Sequence, residues 1–170
     1  MDKVKPVNRR LEIRTKSGEY SCRDKNRERL SVYWESDFDG KAVAIGINPS
    51  KANDKRSDNT LTKLGRFLDA FGFDEFLMLN IFESYAPHQP DINKKAKTNF
   101  EKYKQEFEDA KAIFVVWGVK QNDYLTEKEA VLTLLEEYKN KLFCLQTPSG
   151  NKPAHPSRID YASYKVTSFY

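Results

Sequence analysis

Cysteine and histidine are scarce, with two of each in 170 residues. Cys22 and Cys144 share no CxxC spacing, so neither a disulfide framework nor a four-thiolate iron–sulfur site can be drawn from them. Adding the two histidines gives no familiar zinc spacing either, and no metal or cofactor is expected. Long apolar runs are also lacking. None approaches the ~20 residues that cross a bilayer, and Met1 to Arg10 is too polar for the core of a signal peptide. A cytoplasmic, monomeric protein with no membrane partner is expected. Neither a low-complexity linker nor an internal repeat is visible, so residues 1–170 read as one domain.

What is present suits a folded chain: 39% hydrophobic and 32% charged residues, with a formal charge of +4. That charge is compatible with a phosphate-bearing ligand but falls short of a dedicated DNA-binding domain. Four nearly continuous apolar runs, Val43 to Ile47, Phe76 to Asn80, Ile113 to Trp117 and Leu142 to Gln146, read as strands covered on both faces. Helical spacing of apolar residues predicts helices over Asp58 to Gly72, Lys94 to Asp109 and Thr126 to Tyr138. The alternation implies a three-layer, doubly wound α/β fold with about four parallel strands. Residues 1–40 differ. Arg10 to Thr15 and Leu30 to Trp34 read as an antiparallel hairpin or edge addition. The tail from Tyr161 to Tyr170 holds four aromatics and is expected to pack back on the domain.

In such folds ligands bind beyond the carboxyl ends of the strands. The segments there are Gly46-Ile47-Asn48-Pro49-Ser50, Asn80 to Pro87, Trp117-Gly118, and Pro153-Ala154-His155-Pro156-Ser157-Arg158. Gly46-Ile47-Asn48-Pro49 resembles the water-activating motif of the uracil-DNA glycosylase superfamily, in the mismatch-specific form where asparagine replaces aspartate. Leu79-Asn80 is similar to the strand-end asparagine that reads the pyrimidine edge in that superfamily, and Ala154-His155-Pro156-Ser157 to the histidine motif that stabilises the departing base. The chain also resembles an uncharacterised bacterial and phage family with an Asn-Pro-Ser, Asp-x-Thr, Asn-Leu/Ile-Phe and Trp-Gly pattern, here Asn48 to Ser50, Asp58 to Thr60, Asn80 to Phe82 and Trp117 to Gly118.

The resemblance implies a uracil-DNA-glycosylase-like domain that hydrolyses the N-glycosidic bond of a damaged, mismatched or modified pyrimidine. Its partner would be DNA or a nucleotide. Asn48 would position water and His155 would stabilise the leaving base. Asn80 would read the base, in a pocket completed by Ile47, Ser50, Phe82 and Trp117. Lys51, Lys55, Arg56, Ser157 and Arg158 would hold phosphates. Breaking the bond places negative charge on the base, which calls for donors facing it and a positioned water behind the sugar. An amide is no strong general base, so Asp54, Asp58 and Glu83 are the candidate carboxylates. Ser50 stands where the uracil-specific branch carries a tyrosine, which implies a wider pocket, and Arg158 stands near the place of a leucine wedge.

Blander readings compete. Asn48-Pro49-Ser50 reads equally as a capping turn, Asn80 as a strand-end residue bonded to loop backbone, and Asp58 with Thr60 as a helix N-cap. The alternatives in function are a hydrolase of free nucleosides or nucleotides, and a non-catalytic binding module.

Overall fold

The computed structural model describes residues 1–4, 12–17, 29–49, 58–83, 96–118 and 123–170. Among the described residues seven strands form one mixed sheet in the order β1-β2-β4-β3-β5-β6-β7. They are β1 (Arg14–Ser17), β2 (Arg29–Tyr33), β3 (Lys41–Gly46), β4 (Glu75–Asn80), β5 (Ala112–Val115), β6 (Leu142–Gln146) and β7 (Lys165–Ser168). The central four, β4-β3-β5-β6, run parallel, and these are the four apolar runs of the sequence. The sheet as a whole is not purely parallel. The β1–β2 hairpin adds antiparallel to β4 at one edge, and β7 adds antiparallel to β6 at the other. The aromatic tail thus packs back as a strand.

Helix α1 (Asn59–Asp69) covers one face. Its register follows from its ends. Asp58 caps it by accepting the Leu61 N–H at 2.9 Å. At the other end Gly72, at φ +86°, lets the Gly72 and Phe73 N–H groups return to the Asp69 and Leu68 carbonyls. Between these caps Leu61, Leu64, Phe67 and Leu68 are buried against Ala42, Ala44, Phe76 and Phe114. Burying each such side chain stabilises by roughly 1.5–3 kcal/mol. Helices α2 (Lys104–Asp109) and α3 (Leu125–Leu135) cover the opposite face, where Phe107, Val131 and Leu135 pack on Val43, Ile45, Leu79, Ile113 and Val115.

Two expected helices differ in extent. The helix expected over Lys94 to Asp109 begins only with a 3-10 turn at Phe100–Tyr103, because Lys97 is engaged in an antiparallel bridge with Phe82 and Asn99 caps the turn. Residues 94 and 95 lie outside the described residues. The helix α3 starts near its expected place and passes at Glu136 into a 3-10 segment ending at Lys141. Cys144 is a buried thiol whose pKa burial pushes up to about 11, and Cys22 lies outside the described residues. No helix among the described residues is long and apolar enough to cross a membrane.

Candidate active site

From β3 the chain moves out to β4 and then returns across β3 to reach β5, so the winding reverses between β3 and β5. The carboxyl ends of strands at such a reversal leave a crevice. Here it is a cavity of about 340 Å³ whose wall includes Gly46, Ile47, Asn48, Asn80, Trp117 and His155. Three loops far apart in the sequence, with Trp117 just beyond β5 beside them, therefore meet around one space.

Backbone pairing fixes the first two loops. Gly46 and Asn80 are register partners at the ends of β3 and β4, and the ladder runs on through Ile81 N–H to Gly46 O at 3.0 Å and Phe82 N–H to Ile47 O at 2.9 Å. Asn48, half-buried, follows directly. Asn80 is only 1% exposed, yet its Oδ1 finds no hydrogen-bond partner among the described residues. A buried amide oxygen left in this way costs about 1–3 kcal/mol, so it needs a reason. Its seat is made by Gly46, where a Cβ would lie 2.8 Å from Asn80 Oδ1 and 2.7 Å from Met78 Cε.

The third loop is built by a tight turn after β6. The Gly150 N–H returns to Thr147 O at 2.9 Å with Gly150 at φ +85°, and Ala154 N–H rejoins the sheet at Leu145 O, 2.7 Å away. That delivers His155 to the cavity as the cap of a short 3-10 turn, Pro156–Arg158. Lys63 of α1 holds this turn through the Ser157 carbonyl at 2.9 Å. His155 Nδ1 accepts the Ser157 N–H at 3.2 Å and lies 2.8 Å from Ser157 Oγ. A ring nitrogen that accepts an amide proton carries none, so the neutral ring is the Nε2–H tautomer. His155 keeps solvent-accessible surface, but the surrounding protein still disfavours its charged form. Desolvation lowers its pKa, the Arg158 guanidinium lowers it further, and Asp58 opposes both.

A second cavity of about 460 Å³ lies beyond the same wall, since Ile47, Trp117 and His155 line both. Its other side carries Lys128, Asp123, Tyr124, Thr147, Ser157 and Arg158.

Of the sequence-predicted residues, Asn48, Asn80, His155, Ile47 and Trp117 are brought together in the first cavity, while Ser157 and Arg158 line the second. Phe82 needs correcting. It is fully buried beneath the site, in an edge-to-face contact with Tyr124 at 5.0 Å, and lines neither cavity. The chain bends at Ile81, which turns Phe82 into the α2–α3 layer. Asp58 is engaged as the α1 cap and acts on His155 only through its charge. Glu83 donates its N–H to Ala96 O and lines neither cavity. Ser50, Lys51, Asp54, Lys55 and Arg56 lie outside the described residues.

Sequence reasoning missed Lys128. It occupies the apolar stripe of α3, at helical spacing with Val131 and Leu135, and is 6% exposed. A lysine at a stripe position was the available signal. Among the described residues no group of three or more His, Cys, Asp or Glu is placed to hold a metal ion.

A family whose description reads "Protein of unknown function (DUF1643)" matches residues 27–157. The chain belongs to the DUF1643 family. Its matched region runs from just before β2 through the His155 turn and contains every residue named in the first cavity, whereas β1 and β7 fall outside it. No curated protein and no solved structure matches the chain.

Proposed function

We propose that this DUF1643 domain is a uracil-DNA-glycosylase-like enzyme that hydrolyses the N-glycosidic bond of a pyrimidine in DNA or a nucleotide. The observation that carries the reading is the Asn80 carbonyl oxygen, buried, without a hydrogen-bond partner among the described residues, on a residue that lines the same cavity as His155 and Asn48. A pyrimidine presents a ring N–H beside a carbonyl oxygen, and an amide satisfies both, accepting through Oδ1 and donating through Nδ2. His155, as the neutral Nε2–H tautomer, donates to a base carbonyl as negative charge collects there. Asn48 orients a water whose oxygen bonds to the sugar C1′ while the C1′–N bond breaks. The electron pair leaves with the base, and the water's proton passes to solvent. Positioning by an amide accelerates less than proton transfer to a carboxylate, so turnover is expected to be slow.

One observation favours a second reading, a binding module without chemistry: no carboxylate lines the first cavity among the described residues. An assay for alkali-labile abasic sites, run on oligonucleotides that each carry one modified or mismatched pyrimidine, separates the two. Base release from at least one substrate, slowed by His155→Ala, is the expected result. Absence of release from every DNA and nucleotide, with a nucleotide still raising the melting temperature, establishes the binding module instead.

A further inference from the structure

Trp117 lines both cavities of the candidate site and stands just past the end of β5. The chain follows the sheet through Val116, whose N–H meets Ile45 O at 2.9 Å, and Gly118 at φ +91° turns it immediately after Trp117. The strand pleat therefore does not set the direction of the indole, and packing has to. The Phe169 ring meets the Trp117 ring edge to face, with centroids 6.1 Å apart at 87°, and Lys128 Nζ lies over the indole, 5.8 Å from its centroid. We propose that Phe169 is a positioning residue of the candidate site, holding the Trp117 indole in the wall that both cavities share. The brace itself is independent of the function proposed above; its effect on base binding rests on that function.

The segment that carries Phe169 is held by directed bonds more than by burial. Strand β7 is half-buried or exposed along its length, and Tyr170 is 58% exposed. Its anchors are specific all the same. The Phe169 N–H reaches Leu142 O at 3.0 Å, Lys152 Nζ donates to Ser168 O at 3.0 Å and to Phe169 O at 2.9 Å, and the Tyr170 hydroxyl donates to Glu136 Oε2 at 3.1 Å. The Tyr170 ring in turn meets Phe169 edge to face, with centroids 5.5 Å apart at 88°. A relay thus runs from Glu136 through Tyr170 and Phe169 to Trp117, in which each ring seats the next in the geometry that aromatic quadrupoles favour. Restraint matters because the indole has somewhere to go. A groove of about 260 Å³, with Leu125, Leu132, Pro153 and Phe169 in its wall, also borders Trp117, and it would widen without the Phe169 ring. An indole that moved into it would withdraw from both cavities. Phe169 and Tyr170 lie beyond residue 157, where the family match ends, so the brace comes from outside the region that holds the residues of the first cavity.

NMR relaxation of the indole N–H groups in the full chain tests the brace, since two tryptophans give two side-chain signals and Trp117→Phe identifies one of them. In the native chain the Trp117 indole should be as rigid as that of the buried Trp34. Phe169→Ala should loosen Trp117 alone, with Trp34 reporting that the fold is intact; if Trp34 is disturbed as well, Phe169→Leu, which keeps an apolar side chain but no ring edge, decides. Calorimetric titration with 2′-deoxyuridine, thymidine and 2′-deoxycytidine, on the native chain and the variant, reads the consequence. Affinity for the nucleoside that binds should fall about two- to tenfold in the variant, and in base release KM should rise while kcat stays within about twofold. A Trp117 indole as rigid in the folded variant as in the native chain overturns the brace. A loosened indole with unaltered nucleoside affinity overturns its role in the site. A native chain that neither binds a nucleoside nor releases a base overturns the function proposed above, and the relaxation measurement then decides the brace alone.

Discussion

The two ends of the parallel strands differ in how their buried polar groups are met. At the amino end Asp69 and Gly40 are closed, while the Tyr138 hydroxyl, just before β6, is buried with no hydrogen-bond partner among the described residues. Asp69, 2% exposed, accepts from Trp34 Nε1 at 3.2 Å with Ser36 Oγ at 3.5 Å, and the Gly40 N–H meets Asp74 Oδ1 at 2.8 Å while the Asp74 N–H returns to Gly40 O. Close approach is part of that closure, since a Cβ on Gly40 would lie 2.4 Å from Gly72 O. At the carboxyl end Asn80 Oδ1 has no hydrogen-bond partner among the described residues, desolvation lowers the pKa of Lys128, and Tyr124 occupies a left-handed conformation. Stability alone favours satisfied buried groups. Under the proposed function the carboxyl end is the surface that a ligand completes, and Asp69 and Gly40 belong to the scaffold beneath it.

Substitutions at the two buried polar residues sharpen or break that contrast. Asn80→Leu has the largest expected effect, a fall of about 100-fold or more in base release or ligand affinity, with the melting temperature unchanged or raised because an unsatisfied acceptor is removed. Asp69→Leu should do the reverse. It leaves the Trp34 indole N–H without its acceptor, lowers stability by about 1–3 kcal/mol, and leaves turnover of the folded fraction unaltered. Thermal denaturation beside the abasic-site assay reads both. Two variants that unfold alike, or that both retain activity, would erase the distinction between the ends.

The same contrast explains what was legible in the sequence. The four central strands were visible because continuous apolar runs have few interpretations, and α1 because Asp58 and Gly72 bracket a clean apolar stripe. Strand β7 was legible only as aromatic packing, since four half-exposed or exposed edge residues give no burial period to read. That Asn48, Asn80 and His155 share one cavity was legible because strand ends in a doubly wound sheet converge whatever the loops do between them. Phe82 misled for the same reason. It shares the strand-end segment with Asn80, but the direction of the bend at Ile81 that sends it into the core is not encoded in residue type. Lys128 was overlooked because its stripe position reads as a stem lying along apolar surface, and only the fold places a cavity beside it.

The smallest predicted effect concerns His155, where the contrast becomes a pH dependence. Desolvation, with Arg158 adding to it, holds its pKa below the ordinary value of 6.5. The unfolded chain therefore binds the proton more readily, and the group's contribution to stability declines as pH falls below about 6.5 towards the lowered folded value. Function is expected to respond differently, because the neutral Nε2–H donor persists below 6.5 and activity should stay level there, falling only at the lowered pKa. Arg158→Ala removes the lesser of the two lowering influences, so it should move the acid limb of the activity profile upward by less than the whole shift. Ring-proton titration by NMR, with His155→Ala to assign the resonance, measures the same constant directly. A His155 that titrates at or above 6.5 in the folded chain would mean that the carboxyl end stabilises its cation, and the neutral donor at the heart of the proposed chemistry would be lost.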